Sequence, residues 1–237
     1  MQEIAHGFDI YLCGLTLCTL DMRPIMKHPV LSLQSDAEFN LSDPQDRLRY
    51  FELAQTTTAF FSFMGSLIFN KSKWESIPFD EAFDGSLWAH VARIFRMIPN
   101  GLRLKYLSQS YLDKRGDNDS FMDKGIVHRY KMAIEGYHRL ANTFFGEESV
   151  EAFHIRRVVR NDFPAIKFLL NLKLKSTEDG NRRELVLLDS LAAKVYKDPT
   201  VFNRINLLIY KLMPLHVFKA VKNLYKAAKP YLKGQRK

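Results

Sequence analysis

The residues best suited to polar chemistry cluster in Arg115–Phe121, which reads RGDNDSF. Arg115 can pair bidentately with a phosphate group. Asn118, Asp119 and Ser120 supply the mixed donors and acceptors that sugar hydroxyls require, and Gly116 lets the backbone approach a ligand. The same residue types are also the commonest in turns, so a solvated turn is the competing reading. His90 is the second residue with chemistry to offer, because an imidazole serves as base or metal ligand near neutral pH. At about 100° per residue it flanks the apolar stripe of Leu87, Val91, Ile94, Phe95 and Ile98, where a partly buried structural histidine is the alternative. Cys13 and Cys18 lie in an apolar run without a zinc-type spacing, and read as buried thiols in a reducing compartment. No residue set is assigned to a metal.

Charge is distributed unevenly. The chain carries 35 Lys and Arg against 26 Asp and Glu, a net +9. Beyond Asp198 there is no acid, only Arg204, Lys211, Lys219, Lys222, Lys226, Lys229, Lys233, Arg236 and Lys237, so the whole +9 belongs to the tail. On a helical projection Lys219, Lys222, Lys226 and Lys229 share an arc of about 80°, next to an arc of Phe218, Val221, Leu224, Tyr225 and Ala228. That is the pattern of an interfacial helix on anionic lipid. The alternative is a helix packed on its own domain with a solvated lysine edge. No nucleic-acid reader fold precedes the tail, so nucleic acid is not expected as a partner. The apolar run Ile10–Leu20 falls short of the roughly 20 residues that span a bilayer. The start, MQEIAHGFD, lacks a basic region followed by an apolar stretch, so a cytoplasmic location is expected.

Several elements must position these residues. Phe8–Leu20 reads as a buried strand, and Asp21–Asn40, with Pro24 and Pro29, as a connecting loop. Ser42–Asp43–Pro44 marks the start of a helix running to about Thr57. Phe60–Asn70 is expected to pass from a turn into a short strand. Ser86–Ile98 has helical period, Pro99–Asn100–Gly101 stops it, and Leu102–Leu112 reads as the strand that delivers RGDNDSF. From Gly125 the pattern is helical: Ile126–Phe145, Val150–Arg160, Phe163–Leu174, Arg182–Tyr196, Pro199–Leu212 and Leu215–Lys229.

Ser66–Trp74, reading SLIFNKSKW, and Arg115–Phe121, in this order and separation, resemble the second half of family-2 glycosyltransferases, in particular abequosyltransferase-like enzymes of O-antigen synthesis. The resemblance spans roughly Phe8 to Arg160. It implies an α/β fold: the C-terminal portion of a GT-A, Rossmann-like glycosyltransferase domain over residues 1–122, followed by a mainly α-helical appendage over 123–237. It implies transfer of a sugar from a nucleotide-diphosphate donor to a polyprenyl-diphosphate-linked glycan, at the inner face of the bacterial cytoplasmic membrane.

Such chemistry needs a divalent cation on the leaving diphosphate, a base for the attacking hydroxyl and a shaped pocket. Mg or Mn is therefore expected for the full-length enzyme. The resemblance places the Asp-x-Asp metal signature and the nucleotide-binding strands before Met1. Asp117 and Asp119 have the right spacing but lie in another family element. The Glu-Asp pair that many relatives carry before the helix of this region is replaced by Asp84–Gly85–Ser86, which makes Asp84 the leading base and His90 the runner-up. An ordinary helix N-cap is the other reading of Asp84. The different-class alternative for the chain is a non-catalytic helical membrane-surface protein that retains a transferase remnant.

Overall fold

In the computed structural model, which describes residues 7–116, 125–162 and 166–234 and side chains as far as residue 224, the apolar run Ile10–Cys18 is strand β1 of a mixed five-stranded sheet. Its near-continuous apolar sequence suits a strand covered on both faces. One edge pairs in parallel with β5 (Arg103–Arg115). The other edge is shared by two short antiparallel strands, β4 (Leu67–Phe69) at Ile10–Leu12 and β2 (Pro24–Lys27) at Thr16–Cys18. Strand β3 (Ala37–Asn40) closes the far side, antiparallel to β5. The stretch expected to be a plain loop thus contains two strands. Each has four residues, and every residue of β2 is exposed. A strand this short and this wet carries no readable alternation, and Pro24 stands at its first position, where a strand tolerates proline.

The parallel pairing slips between Cys13 and Leu15, where β5 bulges outward. Gly14 is required there: a Cβ would lie 2.6 Å from the Gln109 carbonyl oxygen and 2.7 Å from that of Ser108. Asp36 holds the bulge, accepting from the Ser108 amide and hydroxyl at 2.7 and 2.8 Å.

Helices α1 (Pro44–Leu53), α2 (Lys71–Glu75) and α3 (Ala89–Met97) complete the mixed region. Asp43 caps α1 as its sequence predicts, accepting from the Gln45 and Asp46 amides. Helices α4 (Ile126–Phe145) and α5 (Val150–Asp162) follow. A cluster of phenylalanine rings joins α1, α3 and α4, with Phe51–Phe145 at 5.3 Å and Phe95–Phe145 at 5.2 Å. Arg157 of α5 donates to the carbonyls of Phe51, Glu52 and Ala54, each at 3.0 Å, and so terminates α1, which has no basic residue in its own last turn.

The chain divides into two compact units, Met1–Asp162 and Phe163–Lys237. The boundary near 122 marks where mixed structure gives way to helices, yet α4 and α5 still pack within the first unit. The second unit is helical: α6 (Ile166–Glu178), α7 (Arg182–Val195), α8 (Val201–Leu212) and α9 (Leu215–Gly234). Its core is Leu169, Leu170, Leu188, Leu191 and Val195. The expected architecture, part of an α/β domain followed by helices, is observed. Among the described residues no helix is long and apolar enough to cross a membrane.

Candidate functional site

Because β1 and β5 run parallel, their carboxyl ends lie side by side, with Cys18 opposite Arg115. Loops leaving that edge of a parallel pair are where α/β folds place ligands. Arg115 is exposed there, and among the described residues its Nε meets a weak acceptor, Met22 Sδ at 3.4 Å. Asn118, Asp119 and Ser120 lie outside the described residues.

Next to this edge runs a segment held from many sides. Thr56 precedes a 3-10 turn over Thr57–Phe60, and Phe61 follows with φ 63°, a left-handed conformation unusual for a bulky residue. His28 Nε2 lies 3.0 Å from Thr58 Oγ1 and 3.1 Å from Thr56 Oγ1. Asp162 accepts from the Thr57 amide at 2.5 Å and hydroxyl at 2.6 Å. Tyr137 donates to the carbonyls of Thr57 and Phe60, and Tyr50 to that of Ala59. His90 Nε2 donates to the Phe61 carbonyl at 2.9 Å. A backbone in this conformation persists when its surroundings over-determine it, as they do here.

The electrostatics of this hub are unusual. Burial, assisted by the Lys114 cation, pushes His28 down to about 4, so its ring is neutral at neutral pH. Burial also lowers His90, partly offset by its bond to Phe61. Burial raises Asp162 above the ordinary carboxylate value, against the lowering from its Thr57 bonds and from Lys114. Lys114 also sits 5.1 Å from the Phe63 ring, so the loop that follows Phe61 lies beside the end of β5. A cleft of about 290 Å³ opens at His28, lined also by Lys27, Gln34, Gln55 and Tyr106.

Asp84 belongs to a different part of the first unit. It follows a 3-10 turn over Glu81–Phe83 that Asp80, not Asp84, caps. Helix α3 starts at Ala89, three residues later than its period suggests, and its N-cap is Trp88. Asp84 is therefore not the cap of α3. Its carboxylate is exposed and, among the described residues, accepts only from the Gly85 amide at 2.7 Å. The late start has its cause at Trp88: Ser86 Oγ accepts from the Trp88 amide, and the Trp88 indole makes a tertiary contact, donating to the Met132 carbonyl of α4 at 3.2 Å.

The indole lies directly over Gly136 of α4, where a Cβ would fall 1.8 Å from Trp88 Nε1. Around this contact is a cleft of about 350 Å³ lined by Phe83, Ser86, Trp88, Lys131, Glu135 and Arg139 among others. Asp84 stands between two of its lining residues, Phe83 and Gly85. Aromatic walls with a few convergent polar groups suit a hydroxylated ligand.

Asp84, His90 and Arg115 are not brought into contact: no hydrogen bond or ion pair joins any two of them among the described residues. His90 reaches the Arg115 edge only indirectly, through the Phe61 segment. In SLIFNKSKW, Asn70 caps α2, and Trp74 packs with a tilted ring against Phe69 (4.8 Å) and under the Arg93 guanidinium (4.5 Å), a scaffold arrangement. His28, Thr56–Thr58, Lys114 and Asp162 were not singled out from the sequence. The only local sign was the run of three threonines before Phe60–Phe61, since the partners are 28 to 105 residues away.

In the second unit, Lys219 pairs with Glu178 of α6 at 2.7 Å in an exposed ion pair. Lys222 is half-buried; for Lys226 and Lys229 only the helical backbone is described. No cluster of three or more His, Cys, Asp or Glu forms among the described residues.

Abequosyltransferase RfbV of Salmonella typhimurium is 32% identical to the chain over 141 residues, which cover 59% of the chain and 42% of that protein. Over that stretch the chain is similar to this transferase. The expected resemblance to an abequosyltransferase is borne out. The chain spans less than half the length of this relative. No protein-family profile matches it.

Proposed function

We propose that the chain is the acceptor-side portion of a glycosyltransferase that moves a sugar from a nucleotide-diphosphate donor to a polyprenyl-diphosphate-linked oligosaccharide of O-antigen or a related surface polysaccharide. The observation that carries this reading is the 32% identity to an abequosyltransferase over 141 residues. The geometry supports a division of labour. Arg115, at the carboxyl edge of β1 and β5, pairs with phosphate. The cleft at Trp88 and Gly136 holds a hydroxylated ring, and Asp84 at its lip takes the proton of the attacking hydroxyl. His90 positions the Phe61 segment and does not act as base. Mg or Mn would neutralise the leaving diphosphate. The basic α9 places the protein on the inner face of the bacterial cytoplasmic membrane, where a lipid-linked acceptor resides.

The full-length gene product, given a panel of nucleotide-diphosphate sugars that includes an abequose donor and a polyprenyl-diphosphate-linked oligosaccharide, should transfer one sugar. Asp84→Asn should lower kcat by about 100-fold or more with donor KM unchanged. Near-normal turnover of that variant removes Asp84 as base, and no transfer from any donor removes the transferase reading.

A further inference from the structure

Helix α8 is amphipathic the wrong way round for a helix of a soluble domain. The side it turns to its own unit carries polar residues: Asn203 and Tyr210 are 0% and 2% exposed, and Asn206 is also buried. Each is satisfied there. Asn203 donates to the Asp198 carbonyl at 2.9 Å, Asn206 to that of Phe202 at 2.8 Å, and Tyr210 to Asp189 Oδ1 at 2.9 Å. The side turned to solvent is apolar. Val201, Ile205, Leu208 and Leu212 are 74%, 51%, 56% and 68% exposed and follow the helical repeat, so they form one continuous stripe. At about 100° per residue they span an arc of about 60°, with Arg204 and Lys211 along one margin. A helix packed on a water-soluble body normally buries the apolar arc and wets the polar one.

We propose that this outward face of α8 is a lipid-docking surface that inserts into an anionic membrane interface, with Arg204 and Lys211 contacting the headgroups. Charge identifies the occupant. No acid occurs after Asp198, so the surroundings of the stripe in sequence are cationic only, which matches anionic lipid. A second copy of the chain would bring the same cations against its own. Helix α9 continues the pattern: Val217, Val221 and Leu224 are exposed, and Lys219, though paired with Glu178, stays exposed beside them, so its outer side combines apolar residues with a cation. The proposal rests on the membrane-surface reading of the second unit but assigns the anchoring to a different helix.

Sedimentation of the whole protein with vesicles of phosphatidylethanolamine and phosphatidylglycerol, and with vesicles of phosphatidylcholine alone, tests it. The wild type should bind the anionic vesicles selectively. Ile205→Ser with Leu208→Ser should weaken that binding about tenfold or more with an unchanged circular dichroism spectrum, because both side chains are exposed. Leu208→Trp should show a blue-shifted emission on binding. A serine double variant that binds like wild type, or no blue shift, overturns the α8 assignment. If deleting Leu215–Lys237 abolishes binding in that case, the α9 reading survives alone. If the wild type ignores anionic vesicles altogether, both fail. A wild-type dimer that the serine variant dissolves without any vesicle binding would assign the face to a second copy instead.

Discussion

The most constrained side chains of the first unit are two histidines that hold backbone and hydroxyls in place. His90 and His28 both act on the Thr56–Phe61 segment, one through the Phe61 carbonyl and the other through Thr56 and Thr58. Their neutral rings are what this arrangement needs. Burial and Lys114 lower His28 from 6.5 to about 4. In that window the unfolded chain binds the proton and the folded chain resists it, so folded stability is full above about pH 6.5 and is lost as pH falls toward 4. Only part of the full linkage energy applies, because the ring is half-buried and partly screened. A loss of about 1–2 kcal/mol between about pH 7 and pH 5 is expected from His28. His90 adds a loss of the same sign. Urea unfolding at the two pH values checks this: His28→Gln should flatten the slope, and an equally steep slope in that variant would locate the titration elsewhere. None of this was visible in the sequence, because His28 is 28 residues from Thr56 and nothing local marks the pair.

At the scale of elements, the long ones were legible and the short ones were not. Strand β1 is a dense apolar run, and the predicted limits of Ile126–Phe145 match α4, because a core helix of this length repeats its apolar face often enough to read. β2 and β3 are too short for alternation, and their pairing is decided by β1 and β5. The start of α3 was misplaced because a tertiary contact sets it, the Trp88 indole on α4. That contact gives a sharp prediction at Gly136. Alanine is the better helix former by about 1 kcal/mol. Its Cβ, however, would fall 1.8 Å from Trp88 Nε1. Expelling the indole loses its bond to Met132 and the packing with Tyr137 at 4.5 Å, and overpacking of this kind costs about 1–3 kcal/mol. The clash outweighs the propensity, so Gly136→Ala should lower Tm by on the order of 5 °C and change the near-ultraviolet tryptophan signal. A Tm at or above wild type would mean that the indole relocates without cost.

At the scale of the whole molecule, the neutral charge balance through Asp198 and the cationic tail separate two roles along one chain. The sequence made the charge visible, but only the packing shows which side of each tail helix faces out. Lys219 is spent on Glu178, an exposed pair worth little by itself, while the apolar residues of α8 and α9 face solvent. Binding to anionic vesicles should therefore have two separable components. Removing Leu215–Lys237 deletes Lys219, Lys222, Lys226, Lys229, Lys233, Arg236 and Lys237 and leaves a net charge of +2. Each cation near an anionic surface contributes roughly 1 kcal/mol, so the deletion should cost several orders of magnitude in affinity at low salt. Salt should mimic it: the Debye length shortens from about 10 Å at 0.1 M to about 3 Å at 1 M, so wild-type binding should fall steeply over that range. The residue left at high salt should match the deletion protein, whose remaining attraction comes from α8 and hardly depends on salt. Vesicle affinity measured across a salt series for both proteins decides it, and parallel curves for the two would show that the tail charge does not drive the binding.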